Sequence, residues 1–83
     1  MRIRLKLFAT LRDYLPEDAA GNGVDIEVPE GASPNSVLDR FRVPHRLCHL
    51  VLINGVYAEP EERGSAILKD GDSLAVWPPV AGG

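Results

Sequence analysis

The chain has 83 residues, 45% of them hydrophobic and 25% charged, with a formal charge of −3. That length suits one domain with an economical core, burying only about 60–65% of the unfolded surface, and the composition is that of an ordinary globular domain, not a disordered or collagen-like chain. A single cysteine, Cys48, excludes an internal disulfide framework and a multi-cysteine zinc site; no apolar run is long enough to span a membrane, and the acidic balance argues against nucleic acid, whose binders depend on a basic surplus.

The opening Met1-Arg2-Ile3-Arg4-Leu5-Lys6 alternates charge and hydrophobe. A signal peptide needs a continuous apolar stretch there, so the expected address is reducing and cytoplasmic. Over residues 2–8, Ile3, Leu5 and Leu7 share one face and Arg2, Arg4 and Lys6 the other, the period of a half-buried strand. Residues 9–23 lose that period and collect Pro16, Gly21, Asn22 and Gly23, which predicts a loop with one turn near Leu11–Leu15. Val24, Ile26 and Val28 alternate with Asp25 and Glu27 as a second strand, stopped by Pro29 and Gly31.

Ser33 and Pro34 are helix-start punctuation, a serine N-cap followed by proline at N1. Val37, Leu38 and Phe41 then form one apolar stripe on a helix over residues 34–41, bounded by Pro44. Leu50-Val51-Leu52-Ile53 reads as a strand entering an Asn54-Gly55 turn, with Val56-Tyr57-Ala58 continuing the hairpin. Residues 60–64 (PEERG) make a polar connection, Ala66-Ile67-Leu68 a short apolar piece, Asp70-Gly71 a turn and Ser73–Trp77 a last strand. The order is that of an α+β domain with a small mixed sheet covered on one face by one short helix.

An uncovered face should be polar unless something binds there. Phe8 has the parity of Arg4 and Lys6, and Trp77 that of Ser73 and Ala75, so both aromatics point away from the helix. Leu50–Ile53 is apolar in both parities, so one of its pairs also points outward. Aromatics with an aliphatic pair on an open face suggest a surface for a protein partner.

After Trp77 comes Pro78-Pro79-Val80-Ala81-Gly82-Gly83. Two prolines stiffen the chain and the following side chains shrink to nothing, giving an extended, tapering segment with a reach of roughly 20 Å. Residues 1–77 are thus expected as the domain and 78–83 as a flexible tail. A glycine carboxylate can approach the α-phosphate of ATP with no side chain in the way. Attack there yields an acyl-adenylate from which a sulfur nucleophile displaces AMP.

The ending Leu74-Ala75-Val76-Trp77-Pro78-Pro79-Val80-Ala81-Gly82-Gly83, preceded by Leu68-Lys69-Asp70-Gly71-Asp72, resembles the MoaD/ThiS sulfur carriers, which are ubiquitin-like β-grasp proteins. Leu7-Phe8-Ala9-Thr10-Leu11-Arg12 is similar to the family's first strand and following loop, and Val51-Leu52-Ile53-Asn54-Gly55 to its central strand and turn. The resemblance implies a carrier with no turnover or bound cofactor of its own. An E1-like adenylating enzyme would use ATP and Mg²⁺ to activate Gly83, with Gly82 beside it. A cysteine desulfurase or rhodanese would supply the sulfur of a thiocarboxylate. A larger molybdopterin synthase-type subunit would receive the tail. Phe8, Arg12 and Trp77 match family partner contacts, Trp77 standing where phenylalanine is commoner, and Pro78, Pro79, Val80 and Ala81 form the inserted segment. Length and the LFATLR opening favour the molybdopterin type, while the short helix is closer to the thiazole type. A ubiquitin-like modifier joined to lysines through Gly83 would use the same activation.

Other constellations carry less. His45, Cys48 and His49 lack a fourth ligand for structural zinc and read as a turn entering a strand. Cys48 has no assignable orienting group for nucleophilic work and reads as a small buried hydrophobe. Glu59, Glu61 and Glu62 surround Pro60 as surface charge, and no glycine-rich phosphate loop occurs.

Overall fold

In a computed structural model describing residues 1–79, the chain runs β1 (Arg2–Leu7), a 3₁₀ segment Ala9–Tyr14, β2 (Gly23–Glu27), α1 (Pro34–Arg40), a 3₁₀ turn His45–Leu47, β3 (Leu50–Ile53), β4 (Val56–Tyr57), a 3₁₀ turn Pro60–Glu62 and β5 (Ser73–Trp77). The five strands form one sheet in the order β2-β1-β5-β3-β4. β1 and β5 pair in parallel at the centre, and every other neighbour is antiparallel. This is the α+β β-grasp arrangement that the sequence predicts.

Register follows from the alternation. Ile3 opposes Ile26 and Leu5 opposes Val24 on one side; Leu5 lies beside Leu74, and Leu7 beside Val76, on the other. Val51 continues the same layer against Val76. A slip of one residue would turn this whole set to solvent, so burial fixes the pairing. Val37 and Leu38 of α1, with Leu11, Val43 and Leu68 from the connections, close the core on that face.

Helix α1 starts as its sequence dictates. Ser33 Oγ accepts from Ser36 N at 3.2 Å while Ser36 Oγ accepts from Ser33 N at 2.9 Å, a reciprocal capping box. It ends one residue earlier than the apolar stripe predicts. Phe41 is the C-cap and Arg42 turns the chain at φ 60°, a left-handed conformation that no helix continues through. Phe41 still packs against the core.

Two further boundaries differ. Residues 9–23 hold a 3₁₀ segment, Ala9–Tyr14, pinned by buried Leu11. β2 stops at Glu27, yet Val28 stays buried and its N–H donates to Met1 O at 2.8 Å. The Asn54-Gly55 turn has φ of 51° and 83° at its two residues, the twist that suits a two-residue hairpin. Asn54 also ties this turn to the β5 entrance: its Nδ2 donates to Asp72 Oδ1 and its Oδ1 accepts from Ser73 N, both at 2.8 Å. No helix among the described residues is long and apolar enough to cross a membrane.

Candidate functional site

The sheet face opposite α1 divides into two halves of different chemistry. Over β2 and β1 it is charged: Arg2 Nε sits 3.0 Å from Glu27 Oε1, and Arg4 Nη1 2.9 Å from Asp25 Oδ1. These exposed pairs add little stability but keep that half polar. Over β5, β3 and β4 the same face is apolar. Trp77 is paired with Leu50, Ala75 with Leu52, and Leu52 with Tyr57. Leu50 and Leu52 are therefore the outward pair of β3, with Val51 and Ile53 turned to the core side.

Phe8 completes the apolar half. Its ring stacks on Trp77 with centroids 4.2 Å apart and planes 2° from parallel. The backbone explains how it gets there. Phe8 N donates to Val76 O at 3.1 Å, extending the β1–β5 pairing by one residue, and Ala9 then breaks the strand at φ 52°. A positive φ at a residue with a Cβ is a strained conformation, and here it fixes where the aromatic ring is left behind. Trp77 covers one face of the Phe8 ring.

Beside this stack the surface is concave. An open depression of ≈ 450 Å³ is lined by Ala9, Thr10, His49, Leu50 and Trp77 together with Pro78 and Pro79. The sequence-predicted residues Phe8, Trp77, Pro78 and Pro79 thus lie together at one end of the sheet. Arg12 does not join them. It is exposed and lines a second depression with Asp13, Leu15 and Ala19, and Ala9 stands at the border of both. Val80, Ala81, Gly82 and Gly83 lie outside the described residues.

The other titratable groups do not converge on a reaction centre. His45 Nε2 is 2.7 Å from Asp39 Oδ1, an exposed contact between α1 and the turn after it. His49 is exposed at the rim of the apolar depression. Cys48 is buried, its thiol donating to Pro44 O at 3.5 Å. Burial pushes that thiol above its ordinary pKa, and the charge of Arg63 offsets part of the rise. Among the described residues no three His, Cys, Asp or Glu side chains are placed to hold a metal ion. Glu59, Glu61 and Glu62 are exposed around the Pro60–Glu62 turn.

One residue escapes sequence reasoning altogether. Arg63, within the connection expected to be polar, is only 6% exposed. Its guanidinium donates to the carbonyls of Ala58, Cys48 and His49 and to Tyr57 Oη. Nothing in its neighbourhood in sequence signals this, because its acceptors come from two other segments of the chain.

No curated protein sequence matches the chain at a significant level. Among solved structures, SAMP1 from Haloferax volcanii matches at a TM-score of 0.70 and 28% identity, with all of both chains covered. The HVO 2177 protein of the same organism matches at a TM-score of 0.78 and 28% identity, over 100% of this chain and 87% of that one. A Pyrococcus furiosus protein assigned as molybdopterin converting factor, subunit 1, matches at a TM-score of 0.65 and 25% identity, over 95% of this chain and 98% of that one. The ThiS family model matches residues 5–83, from the middle of β1 through Gly83. The chain belongs to the ThiS family, small carrier subunits that work with partner enzymes and do not catalyse reactions themselves.

Proposed function

We propose that this protein is a sulfur carrier whose Gly83 carboxylate is adenylated and converted to a thiocarboxylate, donating its sulfur in the building of molybdopterin. The observation that carries this reading is the apolar, aromatic half-face beside the root of the tail, in a chain whose family match extends through Gly83. A body without converging catalytic groups suits a co-substrate. Its face is the handle, and its end is the reactant.

The chemistry is carried by partners. An E1-like enzyme holding ATP and Mg²⁺ lets the carboxylate oxygen attack the α-phosphorus; pyrophosphate leaves and an acyl-adenylate forms. The terminal sulfur of a persulfide carried by a cysteine desulfurase or rhodanese attacks the acyl carbon and AMP leaves, giving an acyl disulfide. A thiol of the partner then attacks the donor's sulfur, forming a disulfide with it and releasing the thiocarboxylate. The tail then enters a larger molybdopterin synthase-type subunit. Phe8 and Trp77 anchor these complexes in turn, Arg12 contributes a charge from the neighbouring depression, and Pro78 to Ala81 pass into the channel of the partner. Glycine at positions 82 and 83 lets that channel be narrow.

A second reading has its own support. Three of the matched structures are of small archaeal modifier protein 1, one of them SAMP1 from Haloferax volcanii at 28% identity over the full chain. A modifier would use the same adenylate, with a lysine amine in place of sulfur as the nucleophile. Intact-mass analysis after incubation with the cognate activating enzyme, ATP, Mg²⁺ and a sulfur donor separates the two. Sulfur replacing oxygen at Gly83 supports the carrier, and the mass of this chain added to other proteins supports the modifier. Gly83→Leu should abolish either product without changing the melting temperature. A Gly83→Leu chain adenylated at the normal rate would refute both.

A further inference from the structure

Arg63 uses four of its five N–H groups on protein acceptors: Nε donates to Ala58 O at 2.9 Å, Nη1 to Cys48 O at 2.8 Å, and Nη2 to His49 O at 3.3 Å and Tyr57 Oη at 3.2 Å. Its Cζ also lies 5.6 Å from the centroid of the Tyr57 ring. No carboxylate of the described residues is within ion-pair distance of it, so a buried cation is held by carbonyl dipoles and one phenol. That is a costly way to fasten a loop, since an apolar side chain could fill the space without desolvating a charge. What a planar fork supplies is the simultaneous placement of several backbone segments.

The segments it places are those at the tail end of the sheet. Ala58 follows β4 and Cys48-His49 precede β3. His49, whose carbonyl accepts from Arg63, donates its own N–H to Trp77 O at 3.0 Å. Trp77 is the last residue before Pro78, and His49 and Leu50 line the depression against which the prolines sit. Two consecutive hydrogen bonds therefore connect the guanidinium to the carbonyl from which the tail departs.

We propose that Arg63 is a positioning residue for the root of the tail: through His49 it fixes the Trp77 carbonyl and the wall of the apolar depression, and so sets the direction in which Pro78 and Pro79 leave the sheet. The function rests on the carrier reading above, but the geometry does not. Lysine would keep the charge and lose the fork. Glutamine would keep a short planar donor and lose its reach to both Ala58 O and Cys48 O.

The test uses the full chain, Arg63→Lys, Arg63→Gln and, as a control of lowered stability at the end of β5 opposite Trp77, Asn54→Ala. Hydrogen exchange reads the geometry without any partner. In the wild-type protein the His49 amide should be protected. In both Arg63 variants it should lose protection at least tenfold more than the amide of Leu5, and the near-UV circular dichroism of Trp77 should weaken. Steady-state adenylation by the cognate activating enzyme, followed by pyrophosphate release, reads the function. KM for the carrier should rise roughly tenfold to a hundredfold, as for a misaimed substrate, with kcat unchanged; Asn54→Ala should leave KM where it was. An unprotected His49 amide in the wild-type protein, or Arg63 variants with wild-type exchange and Trp77 signal, would overturn the positioning role. A KM no higher than that of Asn54→Ala would overturn its functional part. If the wild-type chain is not adenylated at all, it is the carrier reading that fails, and exchange at His49 still decides the geometry.

Discussion

Truncating Phe8 to alanine removes one ring of the stack on Trp77, where the centroids are 4.2 Å apart and the planes nearly parallel. Such a pair contributes about 0.5–1.5 kcal/mol beyond its area burial. Both rings are half-buried, so the lost burial is roughly half of the ~1.5–3 kcal/mol of a fully buried phenylalanine, or about 1 kcal/mol. Phe8→Ala should therefore cost about 2 kcal/mol, a fall in Tm of roughly 8–16 °C for a domain of this size. Trp77→Ala should lose a similar amount, and the double variant should fall short of the sum by about 1 kcal/mol, the coupling between the rings. If this face anchors a partner, each single truncation should also weaken binding by about 2 kcal/mol or more, roughly thirtyfold in Kd. Thermal unfolding of the four chains gives the cycle. Calorimetric titration with the cognate larger subunit, at a temperature where all four are folded, gives the affinities. A coupling near zero would refute the stack as a stabilising contact. A full loss in Tm with unchanged Kd would refute the face as a docking surface, leaving it an outlying piece of the core.

Removing the helix cap should behave differently. Ser33→Ala abolishes half of a capping box on a helix of seven residues and should cost about 1 kcal/mol, roughly 4–8 °C in Tm, with no change in partner affinity. Asn54→Ala gives up the bonds to Asp72 and Ser73 and puts a residue with no local hydrogen bond at φ 51°; a loss of about 1–3 kcal/mol by chemical denaturation is expected, and Asn54→Gly should recover part of it by relieving φ. Cys48 should resist iodoacetamide in the folded protein, since burial raises its pKa and covers its sulfur. The folded state holds the thiol proton more tightly than the unfolded chain does. Stability should therefore fall as pH rises past the ordinary thiol pKa of about 8.5, and a Cys48→Ala chain should lack that part of the decline. Rapid alkylation at neutral pH, or an identical alkaline decline in Cys48→Ala, would refute the assignment.

What the sequence discloses and what it conceals separate along a physical line. β3 and β5 have their expected limits, Leu50–Ile53 and Ser73–Trp77, because hydrophobic pattern and turn residues are local properties and both agree there. The helix start is legible for the same reason, Ser33 and Pro34 standing as N-cap and N1 directly before the apolar stripe. Parity likewise tells which way Phe8 and Trp77 point. It does not tell that they touch, since that contact depends on β1 and β5 lying side by side in parallel, a pairing between the two ends of the chain. Arg12 is the converse case. It is only four residues from Phe8, but the left-handed turn at Ala9 carries it to a neighbouring depression. Arg63 is the least legible of all. An arginine beside two glutamates reads as surface charge, and only the folded backbone brings three carbonyls and a phenol around it.

The position of β5 ties these observations together. A tail that must be delivered into another protein gains nothing from leaving an edge strand, where its root would swing with the fraying edge. Here it leaves the strand flanked on both sides, by β1 and by β3. At the last two residues of β5 each flank adds a hydrogen bond beyond the paired strands themselves, Phe8 N to Val76 O and His49 N to Trp77 O. The same two flanks supply the side chains that meet Trp77, the Phe8 ring stacked against it and Leu50 paired across from it. Fixing the root and building the proposed docking face are thus one structural act. A substitution that loosens Phe8 or His49 disturbs both at once, whereas one in the charged half over β2 disturbs neither. Arg4→Ala, which removes an exposed ion pair on that half, should shift Tm by only about 0–1 kcal/mol equivalent and leave partner affinity unchanged; a large loss of affinity there would mean that docking uses the charged half, and that the division of the face by chemistry has been misread.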